Sequence, residues 1–267
     1  MRGNVVKTMH QATSNAGVKP DVGRFALHGA EPADQVLGTL VQRGLDDELK
    51  ETAYAIVAEV DGRTHHLRFT NLDMTGDALA GAIVEARIYD DADGRRRLAL
   101  ASRSDLSIEA QVTARGATWL DRQNLAKVPP PLGGGGGFGA EVRDAMDARL
   151  DHLAEQGLAR RQGQRVVFAR DLLVTLRRRE LEETAARLSA ETGLTYQPAA
   201  EGDRIAGLYR QRLTLSSARF AMIDDGLGFQ LVPWRPALEQ HVERQVSGML
   251  PGGRVDWELG RQRGLGL

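Results

Sequence analysis

The sequence predicts an α+β protein in which small antiparallel β modules flank a helical middle region. Three observations carry that expectation. Runs rich in β-branched and aromatic residues, broken by Asp-Gly turns, fill residues 52–101 and return over residues 204–232. Between them, apolar residues recur at i, i+4 from Phe138 to Leu153 and again from Leu172 to Leu188. A short basic segment turning at Gln162-Gly163 separates the two stripes.

Residues 1–30 are polar and broken by Gly3, Gly17, Gly23 and Gly29, which predicts an irregular arm with one short helix around residues 5–12. Val36, Leu37, Leu40 and Val41 then recur at helical spacing behind Pro32, a first-turn proline, so a helix is expected within residues 32–50. Residues 52–60 (TAYAIVAEV) and 63–69 (RTHHLRF) flank Asp61-Gly62, the sequence of a tight hairpin turn. A second hairpin is expected where AIVEARIY (82–89) meets residues 95–101 across DADG. Two hairpins in succession predict a small antiparallel sheet or barrel.

Asp105 and Ser107 suit helix N-caps, and residues 106–114 and 118–126 read as two short helices split by Gly116. PPPLGGGGG (129–137) combines stiff prolines with loose glycines and reads as a linker. The stripe Phe138, Val142, Met146, Leu150, Leu153 predicts a helix ending at Gly157. Residues 158–169 fold back as a hairpin, and Asp171 starts a helix that runs to Gly193. Helices followed by a basic hairpin give this region a winged-helix-like order, an analogy at the level of fold.

Strands over residues 204–214, 219–223 and 229–232 make a three-stranded antiparallel unit, turning at Ser216-Ser217 and Asp224-Asp225-Gly226. Pro236 opens an expected helix bearing Leu238, His241, Val242 and Val246 that closes at Gly248, and a GRQRGLGL tail follows. The expected division is thus an arm and helix (1–50), a β module (51–104), a helical winged-helix-like region (105–200) and a C-terminal β unit (201–267).

The 267 residues carry a net charge of −1, which excludes generic polyanion binding and confines any nucleic-acid surface to a local patch. The absence of cysteine excludes disulfides, thiol catalysis and thiolate metal ligands. No apolar run has the length of a membrane span, and the first residues lack a signal peptide's apolar core. A cytoplasmic protein with no membrane partner is the expectation.

Adjacent strand residues point to opposite faces, so Asp224 and Asp225 serve a turn more simply than a catalytic pair. The same parity allows at most one of His65 and His66 into a given site. No His-x-His or His-x-x-x-His pair occurs among six histidines, so no metal site and no cofactor is expected. Gly134, Gly136 and Gly139 match G-x-G-x-x-G, but prolines precede them where a nucleotide-binding fold has a strand. Ser216-Ser217 lacks the context of a nucleophile.

Arginine is the one class that clusters. Arg160, Arg161 and Arg165 fall on the basic hairpin and Arg177, Arg178 and Arg179 on the following helix, a pattern that suits phosphate contact. Against it stand an arginine-rich composition, with lysine only at Lys7, Lys19, Lys50 and Lys127, and the acids Glu141, Asp144, Asp147, Asp151 and Glu155 on the preceding helix.

Several segments together resemble one family. GNVVKTMHQA, RGLDDELKETAYAIVAEVDGRTHHLRF, SDLSIEAQVTARGATWLDRQ, GFGAEVRDAMDARLDHLAEQGLARRQGQRVVFARDLLVTLRRREL, RFAMIDDGLGFQLVPWRP and GRQRGLGL resemble the C-terminal accessory region of bacterial relaxase/mobilisation nuclease proteins. The resemblance implies a role in conjugative transfer of plasmids or integrative elements. It implies as partners the transfer-origin DNA, a relaxase nuclease domain or type IV secretion coupling components. In that family a preceding domain carries the Tyr nucleophile and the His-liganded metal. Tyr54, Tyr89, Tyr196 and Tyr209 have no such His cluster beside them in sequence, so no catalytic residue is carried over. The expectation is a non-catalytic module binding DNA, transfer-machinery proteins or both. Protein docking without DNA is the first alternative, and a metal-dependent hydrolase or nuclease using Asp224 and Asp225 the second.

Overall fold

The computed structural model describes residues 2–16, 25–27, 35–47, 51–133, 136–163 and 165–259. Residues 17–24 and 28–30 of the expected irregular arm, Pro32 and the 260–267 tail lie outside them. The chain divides into two units, Met1–Leu173 and Val174–Leu267.

In the first unit, helix α1 (Arg2–Asn15) contains the short helix expected at residues 5–12. Six strands follow: β1 (Phe25–Leu27), β2 (Val36–Asp47), β3 (Thr52–Glu59), β4 (Thr64–Phe69), β5 (Ile83–Asp90) and β6 (Arg96–Ser104). They form one sheet in the order β1-β4-β3-β2-β5-β6, antiparallel except for the β1–β4 pair. The two expected hairpins are β3–β4 and β5–β6. A short 3-10 helix (Leu72–Thr75) touches β2, β3, β4 and β6, which requires the sheet to curl around it.

The helix expected within residues 32–50 is instead strand β2. Val36 and Leu40 join the core on one sheet face while Val41 joins the core on the other, with Leu37 packed beside it. An i, i+4 spacing is even, so it satisfies a strand's two-residue period as well as a helix's turn. Pairing decides between them: Gly38 lies so close to β3 that a Cβ there would meet the Ala58 carbonyl oxygen at 2.1 Å. A bulge between Leu40 and Gln42 shifts the register of this central strand.

Both faces of the sheet are buried. One carries Met9, Ile56, Ile83, Trp119, Leu120, Phe138 and Val142, and the other Leu40, Val57, Leu67, Phe69 and Val84. The first core joins residues on both sides of positions 50 and 104, so the expected boundaries there fall inside one unit. The segment 129–137 also lies within this unit. Gly133 donates its N–H to the Val60 carbonyl at 2.9 Å, and Cβ atoms at Gly133 or Gly139 would approach the Asp61 or Val60 carbonyl to 2.3 or 2.1 Å. Gly133, and Gly139 just beyond the segment, therefore permit close backbone packing onto the β3–β4 turn.

Three helices follow the sheet: α2 (Ile108–Val112), α3 (Trp119–Asn124) and α4 (Phe138–Glu155). Ser107 caps α2 as the sequence expects, and Thr118 with Asp121 forms a capping box on α3. Fully buried Arg149 of α4 pairs with fully buried Asp121 through Nε–Oδ1 and Nη2–Oδ2 contacts of 2.9 Å. The same guanidinium donates to the Val112, Ala114 and Gly116 carbonyls. Hairpin strands β7 (Ala159–Gln162) and β8 (Arg165–Phe168) complete the unit.

The second unit holds most of α5 (Leu172–Thr192) and a sheet of β9 (Thr195–Tyr196), β10 (Arg204–Thr214), β11 (Arg219–Asp224), β12 (Gly228–Pro233), β13 (Gln245–Met249) and β14 (Asp256–Trp257). The order is β14-β13-β10-β11-β12-β9, with only β12–β9 parallel. Ala185 and Leu188 of α5 pack on Met222, Phe229 and Leu231, while Ile205, Tyr209, Ile223 and Val232 form the opposite core. The helix expected from Pro236 to Gly248 is a 3-10 turn over Pro236–His241, with Val246 and Gly248 on β13. Gly248 sits against the Asp256 carbonyl, 2.7 Å from where a Cβ would be, so it belongs to strand pairing and not to a helix end.

Removing one partner of a buried ion pair strands the other charge. Arg149→Met is therefore expected to lose about 3–5 kcal/mol of stability, and Arg149→Met with Asp121→Leu to recover part of that loss, measured by urea unfolding. A double variant less stable than Arg149→Met would overturn this account.

Candidate nucleic-acid interface

Pairing on the β7–β8 hairpin sorts its arginines. Arg160 lies opposite Val167, Arg161 opposite Val166 and Gln162 opposite Arg165. Cross-strand partners share a face, so Arg160 and Arg165 lie on one side and Arg161 lies with buried Ala159 on the other. Arg161 turns to α4, where its Nη2 is 3.0 Å from Asp151 and 3.8 Å from Asp147. Arg160 and Arg165 are exposed and have no carboxylate partner among the described residues. The three hairpin arginines thus present two free guanidinium groups and one neutralised by the acidic helix. Glu141, Asp144, Asp147, Asp151 and Glu155 are all exposed along α4.

Arg177, Arg178 and Arg179 are exposed on α5, in the second unit. Three consecutive helical residues sweep about 200°, so they do not form one phosphate-facing line. Arg178 lies 3.9 Å from Glu182, a surface pair of small energetic weight.

The paired aspartates border a cleft of about 330 Å³ lined in part by Gly207, Arg210 and Gln245. Asp224 Oδ1 accepts the Gly226 N–H at 2.8 Å, and its Oδ2 accepts Arg210 Nε and Nη2 at 3.0 and 2.8 Å. Asp225 Oδ1 accepts the N–H groups of Leu227 and Gly228. The backbone N–H bonds are those of a turn, and the Arg210 contact reaches it from β10. The Gly226 N–H and the Arg210 guanidinium hold the Asp224 carboxyl below its ordinary value of 3.8, outweighing burial. At the other turn, Ser216 and Ser217 each direct both backbone N–H and hydroxyl to the Glu180 carboxylate of α5.

His65 and His66 face opposite ways, as strand parity requires. His66 stacks on Tyr54 with ring centres 5.4 Å apart, whereas His65 Nε2 lies 2.6 Å from Glu59 Oε2. A basic and aromatic group not evident from the sequence lies in the second unit. The Trp234 indole donates to the Tyr209 hydroxyl at 3.1 Å and carries the Arg212 and Arg219 guanidinium carbons 4.9 and 5.6 Å from its ring centre. Arg212 and Arg219 come from β10 and β11, so their approach to Trp234 has no local sequence signal.

An α+β chain whose first unit ends in an arginine-bearing hairpin after three helices is the class defined by this geometry. A family model described as a protein of unknown function (DUF3363) matches residues 1–97 and 85–266, and the chain belongs to that family. No curated protein and no solved structure matches it. No helix of the described residues is long and apolar enough to cross a membrane.

The depressed Asp224 pKa stabilises the fold above the unfolded value of 3.8, and this contribution disappears as pH falls through the lower folded value. Asp224→Asn is expected to destabilise the protein at pH 7 and to do so by less as pH falls below the unfolded value of 3.8, as read by urea unfolding across pH 3–7. An equal deficit throughout that range would refute the linkage.

Proposed function

We propose that the chain is a non-catalytic accessory module of conjugative DNA processing that contacts the phosphate backbone through Arg160 and Arg165. The observation that carries the reading is the pair of exposed guanidinium groups, without a carboxylate partner among the described residues, on one face of the β7–β8 hairpin. The winged-helix-like order α2-α3-α4-β7-β8 supports it. So does the resemblance to the relaxase accessory region, which implies transfer-origin DNA as the partner. Arg177, Arg178 and Arg179 contribute as a diffuse basic surface on α5.

A docking role toward a relaxase nuclease domain or type IV secretion coupling components is the second reading. The exposed acidic row on α4 favours it, because those carboxylates repel phosphate and suit a basic protein surface.

Each phosphate neutralised contributes about 0.9 to the slope of log affinity against log salt. Arg160→Glu with Arg165→Glu is expected to weaken duplex DNA binding and flatten that slope by about 1.8, while Arg161→Gln leaves the slope nearly unchanged. A salt-titrated anisotropy measurement reads both. Equal slopes for wild type and the double variant sink the hairpin assignment. Failure of wild type to bind DNA at low salt, with capture of a purified relaxase nuclease domain, favours docking.

A further inference from the structure

The β3–β4 hairpin gathers three donors of a kind that divalent metals accept. One ligand atom each from Glu59, Asp61 and His65 lies within 4.8 Å of the other two. The pairing of Val57 with His65 puts His65 on the Glu59 side of the ladder, and the tight turn brings Asp61 back toward both. Glu59 and His65 are both at least nine-tenths buried, and their facing atoms, Oε2 and Nε2, are 2.6 Å apart. Glu59 Oε2 receives no aligned hydrogen bond from the described residues. A buried carboxylate and a buried imidazole thus converge with the partly exposed Asp61 carboxylate of the turn.

Arg63 supplies the compensating positive charge. Its Nε is 2.5 Å from Asp61 Oδ2 and its Nη2 3.5 Å from Glu59 Oε2, while its side chain remains 46% exposed. The guanidinium therefore bridges two carboxylates from the solvent side. The turn beneath is held from outside by the Gly133 N–H bond to Val60 and by the close approach of Gly139. Such bracing fixes the donors before any ligand arrives.

We propose that Glu59, Asp61 and His65 form a binding site for a divalent transition metal of the zinc class, with Arg63 as an internal competitor for the same carboxylates. The oxygen and nitrogen donors suit zinc at about 2.0–2.2 Å, which spaces tetrahedral ligands about 3.4 Å apart. Small side-chain rotations bring donors within 4.8 Å to that spacing. Three protein ligands leave a fourth position for water, on the side Arg63 vacates.

The test uses the full chain, stripped by chelator and titrated with zinc alone against a chromogenic competitor. Wild type is expected to bind one equivalent. His65→Gln and Glu59→Gln should each weaken binding more than about 100-fold, since even outer-sphere partners are worth 10–100-fold. Arg63→Gln should tighten it about tenfold by removing a unit charge beside two ligands. Asp61→Asn, at the partly exposed turn, replaces either buried variant if that variant does not fold, and should also weaken binding. Ligand substitutions that bind zinc like wild type, or stoichiometric binding by neither wild type nor Arg63→Gln, overturn the site.

Discussion

The helical half of the first unit depends on one buried ion pair. Arg149 reaches from α4 to Asp121 of α3 and to three carbonyls around the α2–α3 connection, so one guanidinium fixes three helices. Asp121 also accepts the Thr118 N–H and hydroxyl, tying the ion pair to the cap of α3. Apolar burial alone tolerates helices that slide or rotate, but five directed donors do not. The orientation of α4 in turn sets which carboxylates meet Arg161, and therefore which arginines of the hairpin remain available.

Much of this architecture was legible from the chain. Asp61-Gly62, the Phe138–Leu153 stripe and the Gln162-Gly163 turn each identify their element, because local chemistry and tertiary context agree there. Val36 through Val41 were ambiguous for a definite reason: a central strand buried on both faces loses its polar alternation, and four-residue spacing fits either period. The glycine-rich segment misled in the opposite direction. Composition speaks of loose chain, whereas Gly133 and Gly139 are small because the backbone of the β3–β4 turn occupies the space of a side chain.

The candidate sites divide in the same way. Arginine clustering was visible, but its partition was not, since only strand register places Arg161 against Asp151 and turns Arg160 and Arg165 elsewhere. Turn chemistry at Asp224-Asp225-Gly226 was readable because those bonds are local, while the Arg210 contact spans fourteen residues. Arg149 gave no signal at all. A charged residue on a helix usually faces water, and its burial follows from partners that become neighbours only in the folded chain.

The bond between Glu180 and the Ser216-Ser217 turn bears on how the second unit assembles. Helix α5 is built from neighbouring residues and forms on a local timescale, but its buried carboxylate finds its four donors only across a separation of 36–37 residues. Until the β10–β11 turn exists, docking the helix would place an uncompensated charge against a sheet with no donors to receive it. Burial of the helix carboxylate is thus energetically linked to closure of the β10–β11 turn, since each leaves unmet hydrogen-bonding groups without the other.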